Sequence, residues 1–282
     1  MQNDHPTAAN LISDTRKTLE SIRQYLVDKK IVSLPTEDRV RIEETPQFLR
    51  GLTTASLDAP GPFETKGTEA YYYITPVDPK WTSKQQEDWL RQFNYFTNDV
   101  VTIHEAYPGH YMQFQHLKAS SATRIEKAFY SYAFVEGWAH YAEKMMLDEG
   151  FGDNGDPVRV AKYRLAQSGE ALLRLCRLCV SVKMHCQGMN VDEATRFFMD
   201  NWYQGEKPSQ REALRGTFDP GYLYYSIGKL QILKLREDYQ KQEGANFSLQ
   251  KFHDLVLGSG MSQVGLLREK LLKNKSIWKD TL

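Results

Sequence analysis

A proline and a glycine stand between two histidines at the end of an apolar helical stripe, and no other feature constrains this chain as much. Trp89, Phe93, Phe96, Val100, Ile103 and His104 recur at three- and four-residue steps, the period of one helix face. The stripe runs into His104-Glu105-Ala106-Tyr107-Pro108-Gly109-His110. Two histidines at i and i+4, with a glutamate beside the first, mark the helix of many zinc hydrolases. Here the second histidine stands at i+6. On a straight α-helix that offset turns through about 600° and leaves the two rings about 120° apart. Pro108, however, has no N–H to bond the carbonyl of His104, and its ring clashes with that same carbonyl. Gly109 can take backbone angles closed to other residues. The spacing therefore predicts a helix interrupted at Pro108-Gly109. Two readings follow: the interruption swings His110 back toward His104, or the helix ends at Tyr107 and His110 is unrelated.

A second constellation lies about thirty residues on. Phe129, Tyr132, Ala133, Glu136, His140 and Glu143 fall on one face of a helix expected over about 121–148, so Glu136 sits on an apolar stripe. Burying a carboxylate unpaired is very costly, so Glu136 needs a cation, a metal or hydrogen-bond donors. A helix carrying His-Glu and a facing helix carrying Glu is how a two-histidine, one-glutamate catalytic zinc site is assembled. Gly137, beside Glu136, permits close approach of another backbone.

The surrounding pattern is mostly helical. A helix is expected over 8–30, with Leu11, Leu19, Ile22 and Leu26 on one face. Arg39–Glu43 and Glu69–Val77 read as short strands, and the Gly/Pro/Ser/Thr-rich stretch 45–66 reads as loop. Thr82 and Ser83 are candidate caps for the next helix, with Gln86 three after Ser83. Later helices are expected over 158–187, after Asn190 with Glu193 at the third position, around 209–214, from after Gly221 to about 242, and over 248–257. The fold class is thus mainly α with a small antiparallel β element before the motif helix. Residues 1–80 form a helix, loops and the β element packed on a helical catalytic part, 81–282, as one structural unit.

Composition narrows the function classes. Lys+Arg and Asp+Glu each total 36, which removes the electrostatic argument for nucleic acid or an anionic membrane as main partner. No run of about 18 apolar residues is present, so no transmembrane helix is expected. Met1–Asn10 is polar and has no apolar signal core, and the compartment stays open. Three cysteines are too few for a disulfide framework, and Cys176-Arg-Leu-Cys179 with His185 and Cys186 lacks a second CxxC pair for a zinc knuckle. Buried free thiols are the expectation for them. The 16 tyrosines cluster at Tyr71–Tyr73 and at Tyr222, Tyr224 and Tyr225, a composition suited to clefts or to half-buried surface.

With these motifs in view, the chain resembles the bacterial "domain of unknown function 885" family. The resemblance rests on His104-Glu105-x-x-Pro108-Gly109-His110 and on Glu136-Gly137-Trp138-Ala139-x-Tyr141-Ala142-Glu143. It continues through Ala194, Glu212-x-x-Arg215, Pro220-Gly221, Tyr225-x-Ile227-Gly228-Lys229, Leu235-Arg236 and Phe252-His253-Asp254, covering roughly residues 34–270 in order. It implies a gluzincin-like zinc metallopeptidase on a helical catalytic fold, and a chain corresponding to the C-terminal half of longer proteins. By position it implies His104, His110 and Glu136 as ligands of Zn²⁺ and Glu105 as general base. Tyr225, Arg215 and His185 are its candidate oxyanion donors, and Glu143 is expected to orient a ligand histidine. Two positions depart from the family pattern: His140 replaces an apolar residue and is an incidental or a rival ligand, and Ser181 stands where an aspartate is expected.

The implied activity is hydrolysis of peptide bonds by metal-activated water. Hydrolysis of non-peptide amides, and a non-catalytic metal-binding module that keeps the fold, are the alternatives. The Tyr71–Thr75 strand is a candidate for pairing with an extended peptide, or else a packed sheet edge. Arg174 and Arg177 are expected on the surface or in ion pairs, Glu237 and Asp238 on ordinary helix surface, and His5, His116 and His253 have no partner pattern.

Overall fold

The structure, a computed structural model, describes residues 1–51 and 53–282. The chain begins with α1 (Leu11–Lys29), followed by β1 (Arg41–Glu44), β2 (Ala55–Asp58) and β3 (Tyr71–Ile74). Next come α2 (Ser83–Gln92), α3 (Tyr95–Glu105), α4 (His110–Ala119), α5 (Arg124–Ala128), α6 (Tyr132–Asp148) and α7 (Pro157–Gln187). The remainder is α8 (Val191–Trp202), α9 (Glu206–Phe218), a 3₁₀ turn at Pro220–Leu223, α10 (Tyr224–Glu243), α11 (Leu249–Leu257) and α12 (Val264–Leu271). The protein is mainly helical with one small sheet, as its periodicity requires.

The sheet differs from expectation in two ways. Its order is β1-β3-β2, with β1 parallel to β3 and β2 antiparallel to it, so it is mixed rather than antiparallel. The extra strand, β2, lies in the stretch read as loop, of which residue 52 is outside the described residues. Ala-Ser-Leu-Asp is too short to carry an alternation signal, and only pairing with β3 makes it a strand. β3 is central, with both edges hydrogen-bonded, so the Tyr71–Thr75 strand has no free edge for a peptide.

Capping explains several helix boundaries. Thr82 caps α2 in a capping box with Gln85, one residue earlier than the Ser83/Gln86 register. Asn94 accepts a hydrogen bond from Thr97 N and restarts the chain as α3, so the apolar stripe of 89–104 spans two helices. The expected 121–148 helix is likewise two: Thr123 caps α5, Ser131 caps α6, and Phe129 lies between them, 72% exposed, off the buried face. The Asn190/Glu193 capping box is present. α9 is longer than expected, and α12 falls beyond the last element foreseen.

One core joins the N-terminal segment to the helices: Ile22, Leu26, Ile42, Tyr72 and Ile74 pack in the same cluster as Val100, Ile103, Phe134, Trp138 and Ile232. α6 lies at its centre and is buried on nearly every side. It crosses α10 at two glycines. A Cβ on Gly228 would stand 1.7 Å from the carbonyl oxygen of Ala133, and one on Gly137 2.4 Å from the carbonyl carbon of Gly228. The two backbones touch, and this contact sets Glu136 of α6 beside Tyr225 of α10.

Charged residues also enter the interior, among them Asp238, expected on the surface. Arg268 is fully buried and bonds Asp238 at 2.6 Å, so Asp238 is not a surface residue. His253 is fully buried between Ile31 O, to which its Nδ1–H donates at 2.7 Å, and the Tyr141 hydroxyl, which donates to its Nε2 at 2.8 Å. Among the described residues, no helix is long and apolar enough to cross a membrane.

Candidate metal centre

The interruption between the histidines is present: α3 ends at Glu105 and α4 begins at His110. Gly109 N–H donates to Ile103 O at 3.0 Å, folding the chain back over the end of α3. A Cβ on Gly109 would lie 1.8 Å from the carbonyl oxygen of His104, so only glycine fits. Trp138 Nε1 donates to Pro108 O at 2.8 Å, pinning this turn to α6 two residues after Glu136. The rings of His104 and His110 are brought to a centroid separation of 4.8 Å, edge to face. Of the two readings of the motif, the returning turn is the one realised.

Glu136 completes a cluster. One donor atom each from His104, His110 and Glu136 all lie within 4.8 Å of one another, and all three residues are buried. Glu136 Oε2 is 3.5 Å from His104 Nε2 and 3.3 Å from His110 Nε2, yet it is buried without a hydrogen bond, as is His110 Nδ1. A buried carboxylate oxygen facing two imidazole nitrogens fits a bound cation, and two imidazoles with one carboxylate suit a divalent transition metal. Burial alone would push the Glu136 carboxyl up, but the charge of His110 and the close approach of both imidazoles hold it well below the usual carboxylate range.

Glu143, two turns further along α6, is completely buried and splits its two oxygens between histidines. Oε1 accepts from His104 Nδ1 at 2.8 Å and Oε2 from His140 Nδ1 at 3.0 Å. This leaves His104 Nε2 free to face Glu136. His140 is therefore engaged by Glu143 and stands outside the three-residue cluster. For His104, burial disfavours the imidazolium, but the neighbouring carboxylates of Glu136 and Glu143 outweigh it and push the ring up to about 10. A proton and a metal compete for the same nitrogen.

The other site residues separate. Glu105 is half-buried, and its charge reaches His104 and Tyr72. Tyr225 stacks on His104 at 6.2 Å between centroids, and its phenol is pushed up by burial and by the charge of Glu136. Arg215 stands against Tyr225 and pairs with Asp219 at 2.9 Å. His185 is exposed, and its Nε2 donates to Gly216 O at 2.8 Å, a contact between α7 and α9 rather than one to the cluster. Ser181 donates to Pro220 O at 2.7 Å and holds the turn before α10. Of the cysteines only Cys176 is buried; Cys179 and Cys186 are exposed, and all three are free.

Arg174 and Arg177, expected on the surface or in ion pairs, are ion-paired and buried. The Arg174 guanidinium reaches Glu143 Oε1 at 3.6 Å and pairs with Glu170. Arg177 bonds Glu212 through Nε at 2.7 Å and Nη2 at 2.9 Å. The available signal was their place among Leu173, Cys176 and Val180 on the buried face of α7.

The fold and site define a mainly helical protein with a buried two-histidine, one-glutamate cluster built on a broken helix. The chain belongs to the family described as "Bacterial protein of unknown function (DUF885)", whose profile matches residues 1–271. It is similar to a solved protein from Shewanella oneidensis, titled "a putative lipoprotein of unknown function", at 30% identity and TM-score 0.84 over 96% of this chain and 47% of that one. It also shares its fold with "the putative lipoprotein from Colwellia psychrerythraea", at 22% identity and TM-score 0.79 over 97% of this chain and 43% of the other. The chain thus spans about half the length of these solved proteins. No curated protein matches it.

Proposed function

We propose that the chain carries the catalytic centre of a zinc-dependent peptidase. The observation that carries this reading is the convergence of His104, His110 and Glu136 donor atoms within 4.8 Å in a buried place, with Glu105 adjoining His104. A zinc ion held by these three supplies Lewis acidity, polarising a substrate carbonyl and drawing the pKa of water toward neutrality.

The remaining steps belong to the protein. Glu105 is only half-buried, so its carboxylate accepts the proton of the attacking water and returns it to the departing amine. Tyr225 keeps its phenolic proton, since burial and the neighbouring Glu136 oppose ionisation, and donates it as a hydrogen bond to the oxyanion that develops on the carbonyl oxygen. Arg215 positions that phenol. Glu143 keeps the His104 proton on Nδ1, so that Nε2 presents a lone pair.

Elemental analysis of the purified protein, with hydrolysis assayed on peptides and on non-peptide amides, tests the proposal. It expects about one zinc per chain and peptide turnover that a chelator abolishes and zinc restores. Stoichiometric metal without turnover on any amide would leave a binding module instead.

A further inference from the structure

We propose that Arg177 and Arg215 anchor a carboxylate of the substrate beside the metal centre, belonging either to the peptide's C-terminus or to an acidic side chain. This inference rests on the hydrolase reading above and narrows its substrate class. The two guanidiniums come from α7 and α9 and converge on one aromatic surface: Arg177 lies 5.9 Å and Arg215 6.0 Å from the ring centre of Tyr222, and Arg177 lies 5.4 Å from that of Tyr225. Tyr225 in turn stacks on the ligand His104. The positive charges therefore stand one aromatic ring away from the candidate metal.

Their hydrogen-bonding capacity is not used up. A guanidinium has five N–H donors. Arg177 gives Nε and Nη2 to Glu212, and Arg215 gives Nε and Nη2 to a single oxygen of Asp219. These pairs fix the planes of both groups and leave each Nη1 outside them. The ring of Tyr222 is completely buried with both guanidiniums over it, and its hydroxyl, set against Gly216 of α9, has no hydrogen-bond partner. Arg215 is also the more accessible, with a third of its side chain exposed against 8% for Arg177, so the pair reaches from interior to surface.

The expense of this arrangement argues for a ligand. Buried ion pairs add little stability relative to packed apolar residues, because desolvation offsets the attraction. Two fixed arginines on aromatic faces match the planar, bidentate geometry of a carboxylate, which lysine does not. Tyr132 shares this surroundings: the charges of Glu136, Asp219, Arg215 and Arg177 all reach its half-exposed phenol.

Binding of N-acetylphenylalanine and of its C-terminal amide to the full chain, measured by calorimetry with and without chelator, tests the anchor apart from turnover. A second pair, the diamides of glutamate and glutamine, separates a side-chain carboxylate from a terminal one. The expected result is binding of one or both carboxylate forms at least about tenfold tighter than the matching amide, with or without metal. The ratio falls toward one in Arg215→Gln and in Arg177→Gln, and Arg215→Lys restores part of it. Should Arg177→Gln fail to fold for want of a partner for Glu212, the more exposed Arg215→Gln decides alone. Equal binding of acid and amide by the wild type, or a preference unchanged by the arginine variants, overturns the anchor. Peptide hydrolysis at equal rates on free and amidated termini and on Glu and Gln side chains would overturn it while leaving the hydrolase reading intact. An arginine-dependent carboxylate preference in a protein that hydrolyses nothing would do the reverse.

Discussion

Glu143 holds His104 with one carboxylate oxygen, at 2.8 Å, and His140 with the other, at 3.0 Å, while being itself fully buried. One side chain thus sets the tautomer of a candidate metal ligand and engages the histidine that the sequence offered as a rival. Loss of this bond frees the His104 ring to rotate and to place its proton on either nitrogen. Glu143→Gln is expected to weaken zinc affinity about 10–100-fold, with activity falling in step. Competition titration against a chromogenic chelator checks it, and an unchanged affinity would remove Glu143 from the metal's support.

Glu105 predicts a different signature. Glu105→Gln keeps the side-chain shape and loses the proton acceptor, so metal content stays near wild type while turnover drops about 10²–10⁴-fold. His110→Ala instead removes the metal itself. Metal analysis and single-turnover assays on the same preparations distinguish the two, and a Glu105→Gln protein with near-normal turnover would refute the assigned base.

The α6–α10 crossing gives a prediction about packing. Because a Cβ on Gly228 would lie 1.7 Å from the Ala133 carbonyl oxygen, which is backbone and cannot step aside, Gly228→Ala must push α10 off α6. Overpacking of this kind costs about 1–3 kcal/mol or more. It also moves Tyr225 away from His104. Chemical denaturation is expected to report the lost stability, and the surviving folded protein loses turnover by more than it loses metal.

His253 predicts an acid sensitivity. Burial, opposed by its bond to Ile31 O and aided by the charge of Arg236, lowers its ring to about 3 from an ordinary 6.5. The folded protein therefore requires the neutral ring, while the unfolded chain takes up a proton below about 6.5. This contribution to stability is fully present above that pH and is lost as pH falls toward 3, by on the order of 5 kcal/mol in all. Denaturation midpoints measured from pH 7 to pH 4 should decline with uptake of one proton attributable to His253, and NMR should find its ring neutral in the folded protein at pH 5. A folded-state ring titrating near 6.5 would contradict this.

Much of the candidate metal cluster was legible because it is local. Pro108 and Gly109 are forced by the i+6 spacing, and Glu136 is marked by being a carboxylate on an apolar stripe. Asn190 with Glu193 announces its own helix start. β2 was not legible, because a four-residue strand exists only through its partner, and the breaks at Asn94 and Ser131 were hidden by apolar residues that continue across them. His185 matched by position, but its ring is committed to Gly216 O, and position carries no information about which way a side chain faces.

The sequence by itself determined the residues that require one another within a turn or two of chain: the broken helix, the two histidines, and a glutamate that cannot be buried alone. Backbone sterics and the cost of an unpaired charge act over those short distances and can be read in order along the chain. Tertiary structure alone decided what stands beside them. The Gly137–Gly228 contact draws Tyr225 onto His104, Trp138 ties the Pro108 turn to α6, and α7 and α9 carry Arg177 and Arg215 to one aromatic surface. These pairings join residues tens of positions apart. They depend on how closely two helices approach and at what angle, which is settled by packing across the whole core and leaves no periodic trace in either segment.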